Sequence, residues 1–473
     1  GQQGGTAFYD SDNTHTRPVR CTVRRAIATG AIAPMAAGAR AAHGESTGIG
    51  LLGLGVVGSA VARAIIERHR QGDPNFPLNL KSVVVRDPEK KRAVELDRSI
   101  ISTDAESVIA NPEVGIVVEL MGGENPAFDY ISSSLKAGKP VVTANKEVLS
   151  KRGGELLSIA AENGVQLFYE ASVGGGIPII GPLMNDLTAN KIQSIRGIIN
   201  GTTNFILSKM AHEGADFNDV LAEAQSLGYA ESDPTADIDG FDSLYKISVL
   251  ARLAFHTEVP VDSIHQEGIR NVHAKDFRYA SELGYTIKLL AVAQASEETG
   301  LLARVHPALI PLDVPMASVN GALNAVEVEG DLVGPLWFQG PGAGPAPTAS
   351  AVMGDVLRIA KGGPGAAKPV QTPAPFDITP MGDHVCQFFL RVTVADRPGV
   401  LASIAKVLGD ADISIDSVLQ KDSDVENQSA DLVIMTHPAQ EAKMQDAVSS
   451  LRQLEAVVRL DSLLRVETYP NRS

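Results

Sequence analysis

An acidic stretch with a single lysine, SLGYAESDPTADIDGFDSLYK at positions 226–246, contains the residue types of a proton-transfer site. Asp242 and Lys246 stand four positions apart in an apolar-periodic segment, so a helix places both side chains on one face. Glu231 precedes that segment in a predicted loop. The alternative for this spacing is an exposed ion pair on a solvated helix, worth only about 0.3–0.5 kcal/mol, and spacing alone favours that alternative.

The composition indicates a multidomain protein whose ligand is a small molecule. A chain of 473 residues is too long for one core and predicts roughly two or three domains. The formal net charge of −15 and the lack of a basic stripe argue against nucleic-acid and anionic-membrane partners. Cys21 and Cys386 lie far apart, which favours a reducing compartment, the cytoplasm or an organelle interior, over a disulfide scaffold.

The first 62 residues fall into two segments that differ in composition. Residues 1–45 lack periodicity and mix Gly, Ala and Arg, which predicts a disordered or leader-like segment outside the fold, with a transit peptide as one interpretation. The longest uncharged run, 46–62, has 17 residues and five glycines. It therefore predicts a strand, a turn and a helix start rather than a membrane span.

From residue 46 the chain alternates short apolar runs with helical segments, which predicts an α/β fold with a parallel, doubly wound sheet. The strands of this sheet are predicted at 49–52, 82–85, 115–120, 140–143 and 165–169. The predicted domains are a Rossmann-type nucleotide domain (46–180, completed by about 338–360), an α+β substrate domain (181–337), a Pro/Gly-rich linker (361–384) and a small ββα-type regulatory module (385–468).

The sequence GLGVVG at 53–58 follows the first predicted strand and opens a helix, which is the context of the dinucleotide fingerprint. Gly53 permits the tight turn, Gly55 lets the backbone approach pyrophosphate, and Gly58 lets helix and strand pack closely. Val56 and Val57 contribute amides at the helix N-terminus, where the helix dipole favours phosphate.

The end of the second predicted strand, VVVRDPEKKR, bears on the choice between NAD and NADP. Arg86 is predicted to end the strand, and Lys90, Lys91 and Arg92 follow, a group suited to a 2′-phosphate. This favours NADP. Asp87 is compatible with NAD, and an exposed basic turn is the alternative without a ligand.

Several motifs in order resemble homoserine dehydrogenase with a C-terminal ACT domain, in its monofunctional form, over residues 48–467. They are GLGVVG, TANKE (143–147), YEASVGGGIPII (169–180), NGTTNFIL (200–207), LGYAESDPTADIDGFDSLYK (227–246) and GPGAGPAPTASAVMGD (340–355). The resemblance implies NAD(P)-dependent interconversion of L-aspartate 4-semialdehyde and L-homoserine in threonine, methionine and isoleucine biosynthesis. It also implies a homodimer or homotetramer formed through the substrate domain, and cofactor contacts at Gly342 and Gly344.

The resemblance also implies roles for the charged residues. Lys246 is expected to be the proton donor and acceptor, and Lys146 a second active-site cation that touches the cofactor. Glu231 and Asp242 are expected to hold the ammonium and hydroxyl of the substrate. A lysine is charged at neutral pH, which suits aldehyde reduction, whereas oxidation needs the neutral amine. Alkaline pH is therefore expected to speed oxidation.

By the same resemblance, a monovalent cation, sodium in this family, is expected at YEASVGGGIP. Its ligands would be the backbone carbonyls of Val173, Gly175 and Ile177, with Glu170 nearby. The alternative is a flexible turn that leads into a helix. The ten histidines show no transition-metal spacing.

The segment VTVADRPGVLASIAKVL at 392–408 resembles the strand, loop and helix of a ferredoxin-like ACT domain. Its loop, Asp396, Arg397, Pro398 and Gly399, is expected to meet an amino-acid effector, and threonine is the family's effector. A plain turn is the alternative for these four residues.

Two rival functions make different demands on the sequence. A semialdehyde dehydrogenase that forms a thioester needs a nucleophilic cysteine, and none occurs between Cys21 and Cys386. A non-catalytic sensor that binds NADP and an amino acid would need the same modules and would show no turnover.

Overall fold

The computed structural model describes residues 46–362, 375–424, 426 and 428–469. The predicted leader and positions 363–374 of the predicted linker lie outside the described residues. The described residues all belong to one unit, His43–Ser473. No helix among them combines the length and the apolar composition needed to cross a membrane.

The N-terminal layer is a six-stranded parallel sheet with strand order β3-β2-β1-β4-β5-β6, the order of a Rossmann domain. Its strands are almost wholly buried because helices cover both faces. Its elements are β1 (Thr47–Leu52), α1 (Val56–Gln71), β2 (Leu78–Val84), β3 (Ile101–Ser102), α2 (Ala105–Ala110), β4 (Ile116–Glu119), α3 (Ala127–Lys136), β5 (Val141–Thr143), α4 (Lys146–Glu162) and β6 (Leu167–Phe168).

The middle of the chain forms an α+β layer whose strands are mostly antiparallel. Its elements are α5 (Ile180–Met184), β7 (Ile192–Ile198), α6 (Gly201–Glu213), α7 (Phe217–Ser226), α8 (Thr235–Ile238), α9 (Phe241–Phe255), β8 (His265–Gln266), α10 (Ala274–Glu282), β9 (Tyr285–Ser296), β10 (Gly300–Pro311), β11 (Leu323–Gly330), β12 (Gly334–Pro341) and α11 (Pro345–Ala360). Helix α11 packs against the N-terminal layer, where Val352 and Val356 share a core with Val61 and Ile65.

The C-terminal module has the order βαββαβ, as the ACT resemblance implies. Its elements are β13 (Val385–Ala395), α12 (Val400–Asp410), β14 (Ile415–Asp424), β15 (Ser429–Thr436), the short β16 (Ala439–Gln440), α13 (Glu441–Leu451) and β17 (Val457–Val466). The ββα-type pattern predicted from the residues was incomplete, because it lacked α13 and β17. The core side of α13 consists of Met444, Ala447, Val448 and Leu451, a weak apolar stripe within a polar sequence.

The α+β layer and the C-terminal module share one sheet, whose strand order is β12-β11-β7-β9-β10-β17-β13-β15-β14. The junction is a short parallel ladder between β10 and β17, in which Ala308 pairs with Arg465 and Leu309 with Val466. Just beyond β17, buried Glu467 binds Arg196 at 3.0 Å and Arg304 at 2.8 Å. The C-terminal module is therefore joined to the α+β layer by backbone pairing and by buried charges.

Candidate active site

The Asp242 carboxylate lies between two ammonium groups. Lys246 Nζ is 2.7 Å from Asp242 Oδ2, one turn along α9, and Lys146 Nζ is 2.8 Å from Asp242 Oδ1. Only 8% of the Asp242 side chain and 10% of the Lys246 side chain are exposed. The predicted pairing on one helix face is confirmed, and its burial is contrary to an ordinary surface ion pair.

Lys246 is fixed from a second direction by the strand that precedes α6. Its ammonium donates a 2.7 Å hydrogen bond to the carbonyl oxygen of Ile199. The next residue, Asn200, caps α6 by accepting from the amide of Thr203 at 2.8 Å. The end of β7 and the start of α6 therefore meet the face of α9 that carries Asp242 and Lys246.

Asn200 and Asp237 belong to the site although neither was singled out from the sequence. Asn200 Nδ2 donates to Asp242 Oδ2 at 2.9 Å and to Asp237 Oδ1 at 2.6 Å. The available signal was Asn200 at the start of NGTTNFIL, an N-cap residue type directly after a strand. One amide thus holds two carboxylates beside the lysines.

Lys146 is carried into the site as the first residue of α4. Asn145 caps this helix by accepting from the amide of Val148, and its Nδ2 donates to the carbonyl of Gly123 at 2.7 Å. The Lys146 side chain is 40% exposed, so it faces the open side of the cluster. The cation is therefore placed by a rigid helix start and stays within reach of a ligand.

The buried carboxylate of Glu119 supports the start of α4 through hydrogen bonds. Glu119, at the end of β4, accepts from the Thr143 hydroxyl at 2.6 Å and from the Met121 amide at 2.6 Å. The Thr143 hydroxyl in turn accepts from the Asn145 amide at 3.0 Å. Burial raises the pKa of Glu119 despite these hydrogen bonds. The sequence analysis missed this residue because its role depends on strands that are adjacent only in space.

The charges of the cluster compensate one another. Burial by itself would raise the pKa of Asp242, but the two ammonium groups outweigh it and hold that pKa well below its usual range. The Asp242 carboxylate in turn raises the pKa of Lys146. Burial and the neighbouring Asp242 charge raise the pKa of Asp237. Asp242 is therefore ionised, and Lys146 stays cationic into the alkaline range.

Glu231 lies apart from this cluster in the described structure. It is exposed in the loop between α7 and α8, where its backbone carbonyl accepts from Gln225 Nε2 at 3.0 Å. Among the described residues, no hydrogen bond or ion pair joins its carboxylate to Lys146 or Lys246. Its assignment to the substrate ammonium stays a prediction.

A second buried lysine lies behind α6. Lys288, on β9, donates to the carbonyl of Val319 at 2.7 Å, to Asn320 Oδ1 at 3.0 Å and to Asn204 Oδ1 at 3.2 Å. These acceptors are all neutral, and burial lowers the pKa of Lys288 to about 8. Lys288 thus anchors the helix that Asn200 caps.

The glycine-rich turn has the geometry that a pyrophosphate requires. Gly53 has φ +101°, and a Cβ on Gly58 would lie 2.2 Å from the carbonyl oxygen of Gly53. Gly55 is the N-cap of α1 and provides no side-chain cap, and Val56 behind it is 72% exposed. The open amides of this helix start fit the phosphates of a dinucleotide.

The turn after β2 is exposed and carries the predicted 2′-phosphate residues. The strand ends at Val84, two residues before the predicted end at Arg86; the buried Val85 still donates its amide to the carbonyl of Ser102 at 2.9 Å, and the chain bends at Arg86. Arg86 is exposed, as are Lys90 and Lys91. Asp87 Oδ1 accepts from the amide of Glu89 at 2.9 Å. The acid is therefore used within its own turn.

The predicted cation segment packs against the late glycine motif. Gly175 has φ +54°, and a Cβ there would lie 2.4 Å from the carbonyl oxygen of Gly342. The amide of Gly176 donates to the carbonyl of Pro341 at 3.1 Å. Gly344, with φ +114°, is the N-cap of α11. The structure thus brings the predicted cation and cofactor segments together.

The predicted ligands of the cation include unpaired acceptors. In the described part of the chain, no backbone amide donates to the carbonyls of Val173, Gly175 or Ile177. The Glu170 carboxylate is occupied by the N-terminus of α5, where the amides of Ile179, Ile180 and Gly181 donate to it at 2.6–2.8 Å. The free carbonyls are compatible with a hard monovalent cation. Within the same described ranges, His, Cys, Asp and Glu form no cluster that could hold a metal.

The predicted effector loop is exposed at the start of α12. Gly399 is the N-cap with φ +90°, Asp396 donates its amide to the carbonyl of Gln428 at 2.8 Å, and Arg397 is 3.7 Å from Glu455. The start of α12 has no side-chain cap. The loop, including Pro398, is therefore open to a ligand.

Family models match three consecutive parts of the chain. Residues 53–170 match the NAD binding domain of homoserine dehydrogenase, residues 178–357 match homoserine dehydrogenase, and residues 388–456 match the ACT domain. The matches follow the nucleotide layer, the substrate layer and the C-terminal module in order.

Individual relatives agree with these models over nearly the whole length. Homoserine dehydrogenase from Synechocystis sp. is 43% identical over 433 residues, which cover 88% of this chain and 99% of the relative. The crystal structure of a homoserine dehydrogenase from Thiobacillus denitrificans is similar with a TM-score of 0.81 at 39% identity, covering 89% of this chain and 98% of that one. A hyperthermophilic archaeal homoserine dehydrogenase in complex with NADPH has a TM-score of 0.58 at 28% identity, covering 68% of this chain and 100% of that one.

The glycine-rich turn of the parallel sheet, the matches to the family models and these relatives lead to one conclusion. The chain belongs to the homoserine dehydrogenase family, as a member with an NAD-binding domain and a C-terminal ACT domain.

Proposed function

We propose that Lys246 transfers the proton when this homoserine dehydrogenase interconverts L-aspartate 4-semialdehyde and L-homoserine. The observation that carries the proposal is the buried Asp242 carboxylate bridged by Lys246 and Lys146 at 2.7 and 2.8 Å. A nicotinamide held at the glycine turn of Gly53, Gly55 and Gly58 would supply the hydride to the aldehyde carbon, or take it from the same carbon of homoserine in the reverse direction. The residues of the cluster must then bind the oxygen, stabilise its charge and supply its proton.

In the reducing direction, the Lys246 ammonium donates its proton to the substrate oxygen as that oxygen gains charge. Lys146, which the Asp242 carboxylate keeps cationic, stabilises the same charge without losing its proton. Asp242 and Ile199 orient the Lys246 ammonium by accepting two of its hydrogen bonds. In the oxidising direction the Lys246 amine accepts the hydroxyl proton.

Substrate recognition is assigned to the acids around the lysines. Asp242 accepts from the substrate hydroxyl, and Glu231 binds the substrate ammonium from the α7–α8 loop. Glu231 is exposed in that loop, and its carboxylate has no ion pair with another described residue. The glycine turn at Gly53, Gly55 and Gly58 and the segment at Gly342 and Gly344 hold the nucleotide.

NADP is the proposed coenzyme. Arg86 is exposed beside Lys90 and Lys91, as a 2′-phosphate requires, whereas Asp87 is engaged by the amide of Glu89. An acid occupied in its own turn is less suited to bind the 2′-hydroxyl of NAD. The archaeal relative in complex with NADPH supports the same choice.

A sodium ion is proposed at the carbonyls of Val173, Gly175 and Ile177, with Glu170 nearby. The three carbonyls lack backbone donors in the described part of the structure, and the segment is packed against Gly342. The cation would fix this turn against the late glycine motif. It would act on geometry and not on the proton.

Regulation and assembly complete the proposal. Threonine is proposed to bind at the loop of Asp396, Arg397, Pro398 and Gly399. The enzyme is proposed to be a homodimer or homotetramer. Its proposed pathway is threonine, methionine and isoleucine biosynthesis. The cytoplasm, or an organelle interior, is the proposed compartment. The domain limits proposed are 46–180 with about 338–360, 181–337 and 385–468, with 361–384 as linker.

The experiment is a turnover assay that follows NADPH formation from L-homoserine and NADP. The wild-type protein is expected to turn over and to prefer NADP to NAD. Its activity is expected to fall when potassium replaces sodium in the buffer, and when threonine is added. Binding of NADP without any turnover would instead establish the sensor. Equal use of NAD and NADP would contradict only the proposed contact of Arg86 with the 2′-phosphate.

A further inference from the structure

Arg465 connects the C-terminal module to the substrate layer through two carboxylates. Its side chain is 3% exposed and binds Glu441 of α13 through Nε at 2.8 Å and Nη2 at 2.6 Å. Its remaining Nη1 binds Glu267 at 2.7 Å, in the segment that follows β8. Glu267 also lies 3.8 Å from His265 Nε2, and 33% of its side chain is exposed. The guanidinium therefore holds Glu267 from the side of the regulatory module.

The segment around Glu267 braces the loop between α8 and α9. Gln266 Nε2 donates to the carbonyl of Asp239 at 2.7 Å, and the amide of Ile269 donates to the carbonyl of Ile238 at 2.8 Å. Between them, a Cβ on Gly268 would lie 2.3 Å from the oxygen of Ile238. The two segments thus touch backbone to backbone, and a shift of one must move the other.

The braced loop leads directly into the active site. Gly240 is the N-cap of α9 with φ +89°, and Asp242 is the second residue of that helix. On the other side of the loop, Asp237 accepts from Asn200, the same amide that binds Asp242. The position of Asp242 between its two lysines therefore depends on where this loop is held.

We propose that Glu267, fixed by Arg465, is a positioning residue that holds Asp242 in register with Lys146 and Lys246. The inference rests on the proposed role of Asp242 in the reaction. The C-terminal module thereby completes the geometry of a site to which none of its described residues contributes a side chain. Loss of the Arg465–Glu267 bond removes no catalytic side chain, but it lets the loop at Ile238 to Gly240 relax and so shifts Asp242.

Glu267→Gln in the full-length enzyme tests the proposal, because it keeps the volume of the side chain and weakens the bond to Arg465. A displacement of well under 1 Å at a reacting group is enough for a loss in kcat of roughly tenfold, and this loss is expected with little change in the KM for homoserine. Gln266→Met, which removes only the bond to Asp239, is expected to act in the same direction.

The matched control is Glu282→Gln. Glu282 of α10 also forms an ion pair with the C-terminal module, through Lys421, and among the described residues no hydrogen bond or ion pair joins it to the α8–α9 loop. It is expected to leave kcat within about twofold, because an exposed pair contributes little. An equal loss of kcat in Glu282→Gln would mean that docking of the module matters in general, and would overturn the specific role of Glu267.

A double-mutant cycle with Asp242→Asn distinguishes positioning from a general structural effect. If Glu267 acts through Asp242, then Glu267→Gln costs roughly tenfold in the wild type and less than about twofold when Asp242 is already Asn. An equal cost in both backgrounds overturns the proposal. A wild-type rate in Asp242→Asn itself refutes the proposed function of the cluster, and a slow Asp242→Asn with a fully active Glu267→Gln refutes only the positioning role. If Glu267→Gln does not fold, Gln266→Met takes its place in the cycle.

Discussion

Replacement of Lys246 by Met tests the catalytic assignment against a surface pair of identical spacing. The chain contains a matched pair, Lys406 and Asp410, also at i,i+4 with an N to O distance of 2.7 Å. The two pairs differ in environment: the side chains of Lys406 and Asp410 are 73% and 67% exposed, whereas those of Lys246 and Asp242 are 10% and 8% exposed. Any difference between the two Met variants therefore reflects location, not spacing.

The expected effect on stability follows from the partners that remain. In Lys246→Met, Asp242 keeps Lys146 at 2.8 Å and Asn200 at 2.9 Å, so no isolated buried charge is left. The cost is then below the ~3–5 kcal/mol of a broken buried pair. The carbonyl of Ile199 loses its donor, which costs about 1–3 kcal/mol. The variant should fold, with its free energy of unfolding lowered by about 1–3 kcal/mol.

The expected effect on turnover is much larger. A positioned proton donor contributes about 10²–10⁴ in rate, equivalent to about 2.7–5.4 kcal/mol of barrier. We therefore expect the kcat/KM for homoserine oxidation to fall by that factor in Lys246→Met, measured as NADPH formation. Lys406→Met should keep its kcat/KM and lose only about 0.3–0.5 kcal/mol of stability.

Chemical denaturation of both variants provides the stability measurement. A folded Lys246→Met enzyme with kcat/KM within about tenfold of wild type would refute the proton-transfer role, since general acid and base catalysis is worth more than that. In that case Asp242 and Lys246 would be a structural pair. An equal loss of activity in Lys406→Met would also remove the argument.

Three further predictions concern the cofactor, the cation and a buried charge. Arg86→Ala is expected to raise the KM for NADP by about tenfold or more while that for NAD changes by less than about twofold, and equal changes would contradict the 2′-phosphate contact. Gly175→Ala is expected to lower activity and sodium dependence together, because its Cβ would collide with the Gly342 carbonyl; full activity at low sodium would contradict the site. The pKa of Lys288 is lowered to about 8. Below that pH both the folded and the unfolded chain hold the proton, and between about 8 and 10.4 only the unfolded chain does, so stability rises with pH by up to about 3 kcal/mol. Urea unfolding from pH 7 to 10 should show this rise in wild type and lack it in Lys288→Met, and the same slope in both proteins would contradict it.

Features encoded by local pattern were predictable from the sequence. The glycine turn needs only neighbouring residues, and the Asp242 and Lys246 pair needs only helical spacing. The family resemblance was needed to add Lys146, which lies in a different layer of the fold. Asn200 was missed because an N-cap asparagine usually signals only a helix start.

Long-range contacts between charges were not predictable in this way. Glu267 and Arg465 are 198 positions apart, and each looks like an ordinary surface charge in its own segment. The junction between β10 and β17 was equally hidden, because a ladder with two residue pairs leaves no periodic signal. Such contacts depend on which sheet edges meet, and that is decided by the packing of whole layers.

The bonds from Glu467 to Arg196 and Arg304 have a consequence for how the polypeptide folds while it is translated. Arg304 is made 163 residues before Glu467, a delay of about 8–30 seconds at a synthesis rate of 5–20 residues per second. During that interval the edge of β10 at Ala308 and Leu309 lacks its partner strand β17, and Arg304 lacks the carboxylate of Glu467 that compensates its burial. The ladder between β10 and β17 and the bonds of Glu467 to Arg196 and Arg304 therefore form only after the ACT module has been translated, so the module supplies the last contacts of the α+β layer from within the same polypeptide.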